Sequence, residues 1–153
     1  INPVVKEVRK YGDLEPVKTY HNLEPRLSAR YTLDANSSLK ASYQRTVQYV
    51  HLIANSTVPI PFNTWAPSGE YLRPQKADQV VAGYFRNLKG GMFELSAEVY
   101  YKYMTDVTDF ADNAQLFFNQ DIATEYRQGT SDSYGFEVTL NKKEGRLTGF
   151  ASY

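Results

Sequence analysis

No cysteine occurs in this 153-residue chain, so neither a disulfide framework nor a thiolate metal site can hold it together. Histidine is nearly as scarce. His21 and His51 are the only two, with no second ligand at metal spacing, so no metal and no cofactor is expected. Net charge is absent too: 17 basic residues balance 17 acidic ones, which removes any broad attraction to nucleic acid or to an anionic membrane surface. No apolar run reaches the ~18 residues of a membrane-spanning helix. Spanning strands remain open, because a barrel strand needs only every second residue to face lipid. No Gly-x-Ser-x-Gly elbow frames a nucleophile, and no carboxylate pair shows the defined separation that glycoside hydrolysis requires. The chain reads as a non-enzyme.

Tyrosine is what the chain has in excess. Thirteen Tyr, eight Phe and one Trp raise aromatics to 14%, and amphipathic rings favour strands and the water–lipid boundary. Their spacing is informative. In 93–103 the odd positions Phe93, Leu95, Ala97, Val99, Tyr101 and Tyr103 are apolar or aromatic, whereas Glu94, Ser96, Glu98, Tyr100 and Lys102 form a wet side. Successive side chains of a strand point to opposite faces, so this period of two predicts a two-faced strand. The alternation returns in 27–33, 39–43 and 134–140 with turn residues between, as a meander of antiparallel strands requires.

Taken in order, 1–25 reads as mainly loop and 26–33 as the first strand. Asp34-Ala35-Asn36-Ser37 is a tight turn, and the return strand runs over 38–53. Arg45 breaks its apolar side. Either a bulge near 44–47 resets the facing, or Arg45 lies outside the apolar band. Residues 54–76 carry four prolines and read as a long loop; 77–88 is a strand of ambiguous facing, and 89–91 a tight turn. Residues 105–129 read as a second long loop, with Asp106, Asp109 and Asp112 solvated. A strand over 130–140, a turn at 141–145 and a sixth strand from 146 complete the chain. All short turns then fall at one end of the sheet and all long connections at the other, an asymmetry characteristic of outer-membrane barrels.

The wording of several strands resembles the C-terminal half of the barrel of TonB-dependent outer-membrane receptors, especially those of Bacteroidetes. The carriers are Leu23-Glu24-Pro25-Arg26-Leu27-Ser28-Ala29-Arg30-Tyr31, Gln48-Tyr49-Val50-His51-Leu52 leading to Trp65, Arg73-Pro74-Gln75-Lys76-Ala77-Asp78-Gln79, Glu98-Val99-Tyr100-Tyr101-Lys102, Ser133-Tyr134-Gly135-Phe136-Glu137 and Gly145-Arg146-Leu147-Thr148-Gly149. The resemblance implies an all-β fold, an antiparallel meander of about six strands forming part of a transmembrane barrel of roughly 22 strands with a plugged lumen. It implies active import of a large scarce solute (siderophore, haem, cobalamin or glycan), in contact with outer-membrane lipid and energised by a TonB complex acting through an N-terminal region that this sequence does not show. Residues 1–153 then form one partial barrel domain without a plug, cut at both ends. Such a piece is not transport-competent alone, and its open strand edges invite self-association.

Candidate sites divide by place. Arg30, Lys40, Glu94, Glu98, Lys102 and Glu137 fall on the wet side; they either meet plug or solute in the lumen or pair with one another. Phe62, Trp65, Phe117 and Phe118 lie in the long loops and either stack on the solute or pin the loops. The chief alternative is an autonomous soluble β-domain, an adhesion or carbohydrate-binding module, favoured by Arg45 on the apolar side.

Overall fold

A computed structural model describes residues 12–13, 15–53, 64–111, 114 and 125–153. The strands are β1 (Arg26–Asp34), β2 (Ser37–Gln48), β3 (Val50–Ile53), β4 (Thr64–Pro67), β5 (Gln75–Leu88), β6 (Phe93–Phe110), β7 (Tyr126–Lys142) and β8 (Gly149–Ser152). Six of them form one antiparallel sheet in the order β1-β2-β5-β6-β7-β8, and β3 pairs with β4 as a separate ribbon. Every neighbour in the large sheet is the next strand in the chain once the ribbon is set aside. That is the meander read from the alternation, and the sheet does not close on itself.

Turn chemistry sets its short-turn end. Asp34 accepts hydrogen bonds from the Asn36 amide at 2.7 Å and from the Ser37 hydroxyl, closing the β1–β2 turn in the way aspartate closes turns. Between β5 and β6 the chain reverses through Lys89, Gly90 and Gly91 at φ 51°, 67° and 101°, a left-handed run that two glycines make inexpensive. The turns are tied to one another. The Asn87 amide donates to the Asn36 carbonyl at 2.7 Å, and the Lys143 amide to the Met92 carbonyl at 2.9 Å.

Two open points close, at Arg45 and in 77–88, and three readings change. β2 pairs with β5 in continuous register from Ser37↔Arg86 to Gln48↔Gln75, so no bulge resets Arg45; it stays on the apolar face. Residues 64–67 are a strand despite the prolines around them, because Pro67 ends β4 at the edge of a two-stranded ribbon, where a missing N–H costs little. β6 and β7 run on to Phe110 and from Tyr126, well into the span read as loop. A register shift between Thr105 and Val107, with Asp106 at φ 57°, makes this possible: one extra residue is absorbed and pairing resumes. Asp106 is correspondingly not solvated, since its carboxylate pairs with Arg73 at 3.0 Å. Residues 77–88 now have a definite facing, with Val80, Ala82 and Tyr84 on the apolar side opposite Tyr43, Ala41 and Leu39.

Among the described residues, burial lies at the ends, apart from Gly83 in the middle of β5. Ala66 and Leu72 are buried and packed by Phe110 and Tyr126 at the loop end, while Ser37 and Ser38 are buried at the turn end. No buried hydrophobic residue lies in the middle of the large sheet.

Candidate functional site

The two faces of the sheet have opposite chemistry. Register places Ala29, Ala41, Ala82, Val99 and Phe136 in one row across five strands. The rows on either side hold Leu27, Tyr43, Val80, Tyr101 and Tyr134, and Tyr31, Leu39, Tyr84, Ala97 and Val138. No charge interrupts these rows. Val99 is 55% exposed and Phe136 57%, whereas Glu98, Tyr100 and Lys102, between and beside them on β6, are half-buried. A water-soluble domain buries its apolar face; this sheet leaves that face open. On β6 the apolar set runs from Phe93 to Tyr103, matching the ~9–11 residues of a membrane-crossing strand.

Charges appear only where this band ends. Arg86 and Lys142 lie toward the turns, and Arg45, Asp78 and Asp132 toward the loops. Arg45 faces Asp78 directly across the strands, and its Nε and Nη2 donate to the two carboxylate oxygens at 2.8 and 2.9 Å. The same carboxylate accepts the Tyr43 hydroxyl at 2.5 Å, and Asp132 accepts the Tyr101 hydroxyl. Each ring thus lies over the apolar band with its hydroxyl turned toward the charged rim, the posture amphipathic rings adopt at a water–lipid boundary. Sequence reasoning could not see Asp78 as the partner of Arg45, because the facing of its strand was unresolved.

The polar face brings together the six wet-side candidates. Arg30, Lys40, Gly83, Glu98 and Glu137 form a single row, with the two cations adjacent at one end and the two carboxylates adjacent at the other. Like charges directly opposite are unfavourable, so mutual neutralisation does not account for the pattern. Among the described residues only Glu94 of the six has an ion pair, with Lys143 at 2.8 Å; Arg30 donates to the Ser38 hydroxyl at 3.2 Å. Arg30, Lys40 and Glu94 border a hollow of about 500 Å³ near the turns. Lys102 sits nearer the loops, opposite Gln79 and Ser133. Gly83 gives the row its shape: a Cβ there would lie 3.0 Å from the Glu98 side chain, which leans across it.

At the loop end the 68–74 segment is strapped onto the sheet. Gln128 accepts from the Arg73 amide at 3.1 Å and donates to the Arg73 carbonyl at 2.8 Å. It thereby pairs with backbone as a neighbouring strand does, and the Arg73–Asp106 ion pair reinforces the contact. His51 is 3% exposed, its Nε2 lies 3.1 Å from the Ser68 hydroxyl, and burial pulls its pKa below the ordinary 6.5. Trp65 is on the other side of the β3–β4 ribbon, opposite Leu52 and 66% exposed. It does not pin the ribbon, since Ala66 and His51 supply the packed side. Phe62, Phe117 and Phe118 lie outside the described residues. Sequence reasoning missed Gln128, which no motif distinguishes from any other glutamine.

No curated protein and no solved structure matches the chain. Residues 7–153 match the family model described as TonB dependent receptor-like, beta-barrel. An open antiparallel meander with an exposed apolar face is what one arc of such a barrel should be, and the match covers nearly the whole chain; the chain therefore belongs to the TonB-dependent receptor β-barrel family, an outer-membrane family of solute transporters rather than enzymes.

Proposed function

We propose that the chain is a wall arc of an outer-membrane receptor that actively imports a large scarce solute, within the range of siderophore, haem, cobalamin and glycan. The exposed apolar face carries this reading: rows through Val99 and Phe136 open to the surroundings, flanked by tyrosines and then by charges. In it, that face meets lipid and the polar face lines the lumen, so that Arg30, Lys40, Glu94, Glu98, Lys102 and Glu137 border the solute path. The segregated pairs Arg30/Lys40 and Glu98/Glu137 then await counter-charges from whatever fills the lumen. Trp65, exposed on the β3–β4 ribbon at the loop end, stands at the outer mouth. Energy comes from a TonB complex engaging a region outside this chain, and the six-stranded arc alone does not transport.

The test is an immunoblot of membrane and soluble fractions from the source cell, with samples run unheated and boiled in SDS. The expected result is an outer-membrane band well above 17.5 kDa whose mobility changes on boiling. A soluble band near that mass, unmoved by boiling, would replace this reading with a soluble adhesion or carbohydrate-binding module.

A further inference from the structure

At the turn end of the sheet, cations collect on the apolar side. Register puts Phe93 between Leu88 of β5 and Lys142 of β7, on the face that carries Leu95, Val99 and Tyr101. Lys142 Nζ lies 6.0 Å from the centre of the Phe93 ring, and Lys89 Nζ, from the β5–β6 turn, lies 5.8 Å from it. The ring face attracts both ammonium groups and so holds two like charges around one point. Arg86 stands in the next row of the same face, between Ser37 and Leu95. Lys142 reaches outward: a Cβ on Gly145, in the connection to β8, would lie 3.6 Å from its Nζ. Its stem therefore runs along the apolar surface while its charge sits at the level of the last turn.

Little on the protein neutralises these three cations. Among the described residues, the carboxylates near the turns are Asp34, Glu94 and Glu144. Asp34 is taken up by the Asn36 amide and the Ser37 hydroxyl; its charge acts on Arg86 across space, but the two form no ion pair. Glu94 is on the opposite face and already pairs with Lys143 at 2.8 Å. Glu144 is exposed in the connection to β8, as is Arg146, and forms an ion pair with none of the three. The loop end differs. There Arg45 meets Asp78 at 2.8 Å and Arg73 meets Asp106 at 3.0 Å.

Depth fits a lipid headgroup. The steps from Phe93 to Tyr103 span about 33 Å of strand at ~3.3 Å each, and a strand tilted by about 40° then covers about 25 Å of depth, the height of a barrel's apolar band. Phe93 thus stands at the turn-side edge of the band. Lys89 and Lys142 lie at headgroup level, with Leu88, Leu95 and Leu140 just inside, where acyl chains begin. A zwitterionic phospholipid carries its own ammonium group, which the lysines repel. A headgroup of the phosphatidylglycerol kind offers a phosphate without one, and ammonium-to-phosphate hydrogen bonds are the strong, charge-assisted kind. We propose that Lys89, Lys142 and Arg86, gathered around Phe93, bind the phosphate of an anionic phospholipid in the leaflet at the turns. The proposal rests on the reading that this face meets lipid.

The test uses the whole receptor in nanodiscs of phosphatidylethanolamine with a minority of phosphatidylglycerol, the two lipids having identical acyl chains. Leu140→p-benzoylphenylalanine puts a photoreactive ring beside the cluster, and Tyr103→p-benzoylphenylalanine puts one at the other rim of the same face, where Asp78 and Asp132 are its cross-strand neighbours. Captured lipids are identified by mass. The label at 140 is expected to capture phosphatidylglycerol at least about fivefold above its share of the disc, the weight of one lysine beside an anionic surface. The label at 103 should show no enrichment, and Lys89→Gln/Lys142→Gln should return the label at 140 to the disc ratio. Capture at 140 in proportion to the disc, equal enrichment at both labels, or enrichment that survives the double change each overturns the proposal while leaving the lipid face intact. A heat-modifiable receptor that captures no lipid at either label loses the lipid reading of the face and this proposal together.

Discussion

At the scale of single residues, His51 gives the sharpest prediction. Burial against Ser68 holds its pKa below the ordinary 6.5, so the folded ribbon keeps the ring neutral while the opened ribbon does not. Above 6.5 both states are neutral and the difference costs nothing. As pH falls through 6.5 the opened state takes up a proton that the folded state refuses, and the loss grows until the folded value is passed. Amide exchange at Leu52 and Ala66, corrected for intrinsic rates, should therefore speed up between pH 7.5 and 5 in the wild-type protein. His51→Gln, which has no titrating group, should abolish that dependence. Equal protection at both pH values in the wild type would show that the ring is not held neutral. Arg45 makes a related point about a residue that looks misplaced. Its charge is tolerated on the apolar face because it sits at the rim and meets Asp78 with two hydrogen bonds, near the level where a charge costs a barrel only ~0–1 kcal/mol.

At the scale of elements, β6 offers a test of which face is which. Val99→Arg places a cation in the middle of the exposed apolar row and should destabilise the barrel by about 2–4 kcal/mol, the cost near the bilayer midplane. Ser96→Arg, on the opposite face of the same strand, should change stability little. The temperature at which the SDS-resistant band disappears reads both, and equal effects would refute the two-faced wall. Gln128 is the corresponding test for the 68–74 strap. Gln128→Leu removes both of its bonds to the Arg73 backbone and should make 68–74 the first site of limited proteolysis; unaltered cleavage would mean that Arg73–Asp106 suffices alone. Much of this was legible in the sequence. The alternation over 93–103 gave both faces of β6 directly, because lipid and water impose opposite demands on successive residues. Asp34, Asn36, Gly90 and Gly91 marked the turns by their backbone chemistry. The facing of β5 was not legible, since Val80-Val81-Ala82-Gly83 has no contrast between neighbours, and Asp78 and Gln79 could not be assigned until register fixed them. The extension of β6 past Thr105 was hidden for another reason. Asp106 adopts a left-handed conformation to absorb one residue, and a lone aspartate in an acidic stretch carries no sign that it will do so.

At the scale of the whole molecule, the described sheet is held by ladders between consecutive strands and by two small packed ends, not by a central core. Its order is therefore conditional on what surrounds it. Lipid must cover the apolar rows, and further strands must satisfy the outer edges of β1 and β8, which among the described residues pair with nothing beyond β2 and β7 and so recruit any available strand. The 153 residues expressed alone and refolded in detergent should consequently fail to remain monomeric. Detergent can replace lipid on the rows through Val99 and Phe136, but it cannot hydrogen-bond to a strand edge. Sedimentation in density-matched detergent should show a distribution of protein masses at multiples of 17.5 kDa that shifts upward with concentration. Strand signal in the amide I band should persist, because the added contacts are themselves strand pairs. A single monomeric species with protected amides along β1 and β8 would contradict this, and would mean that the edges are covered by residues of the chain itself.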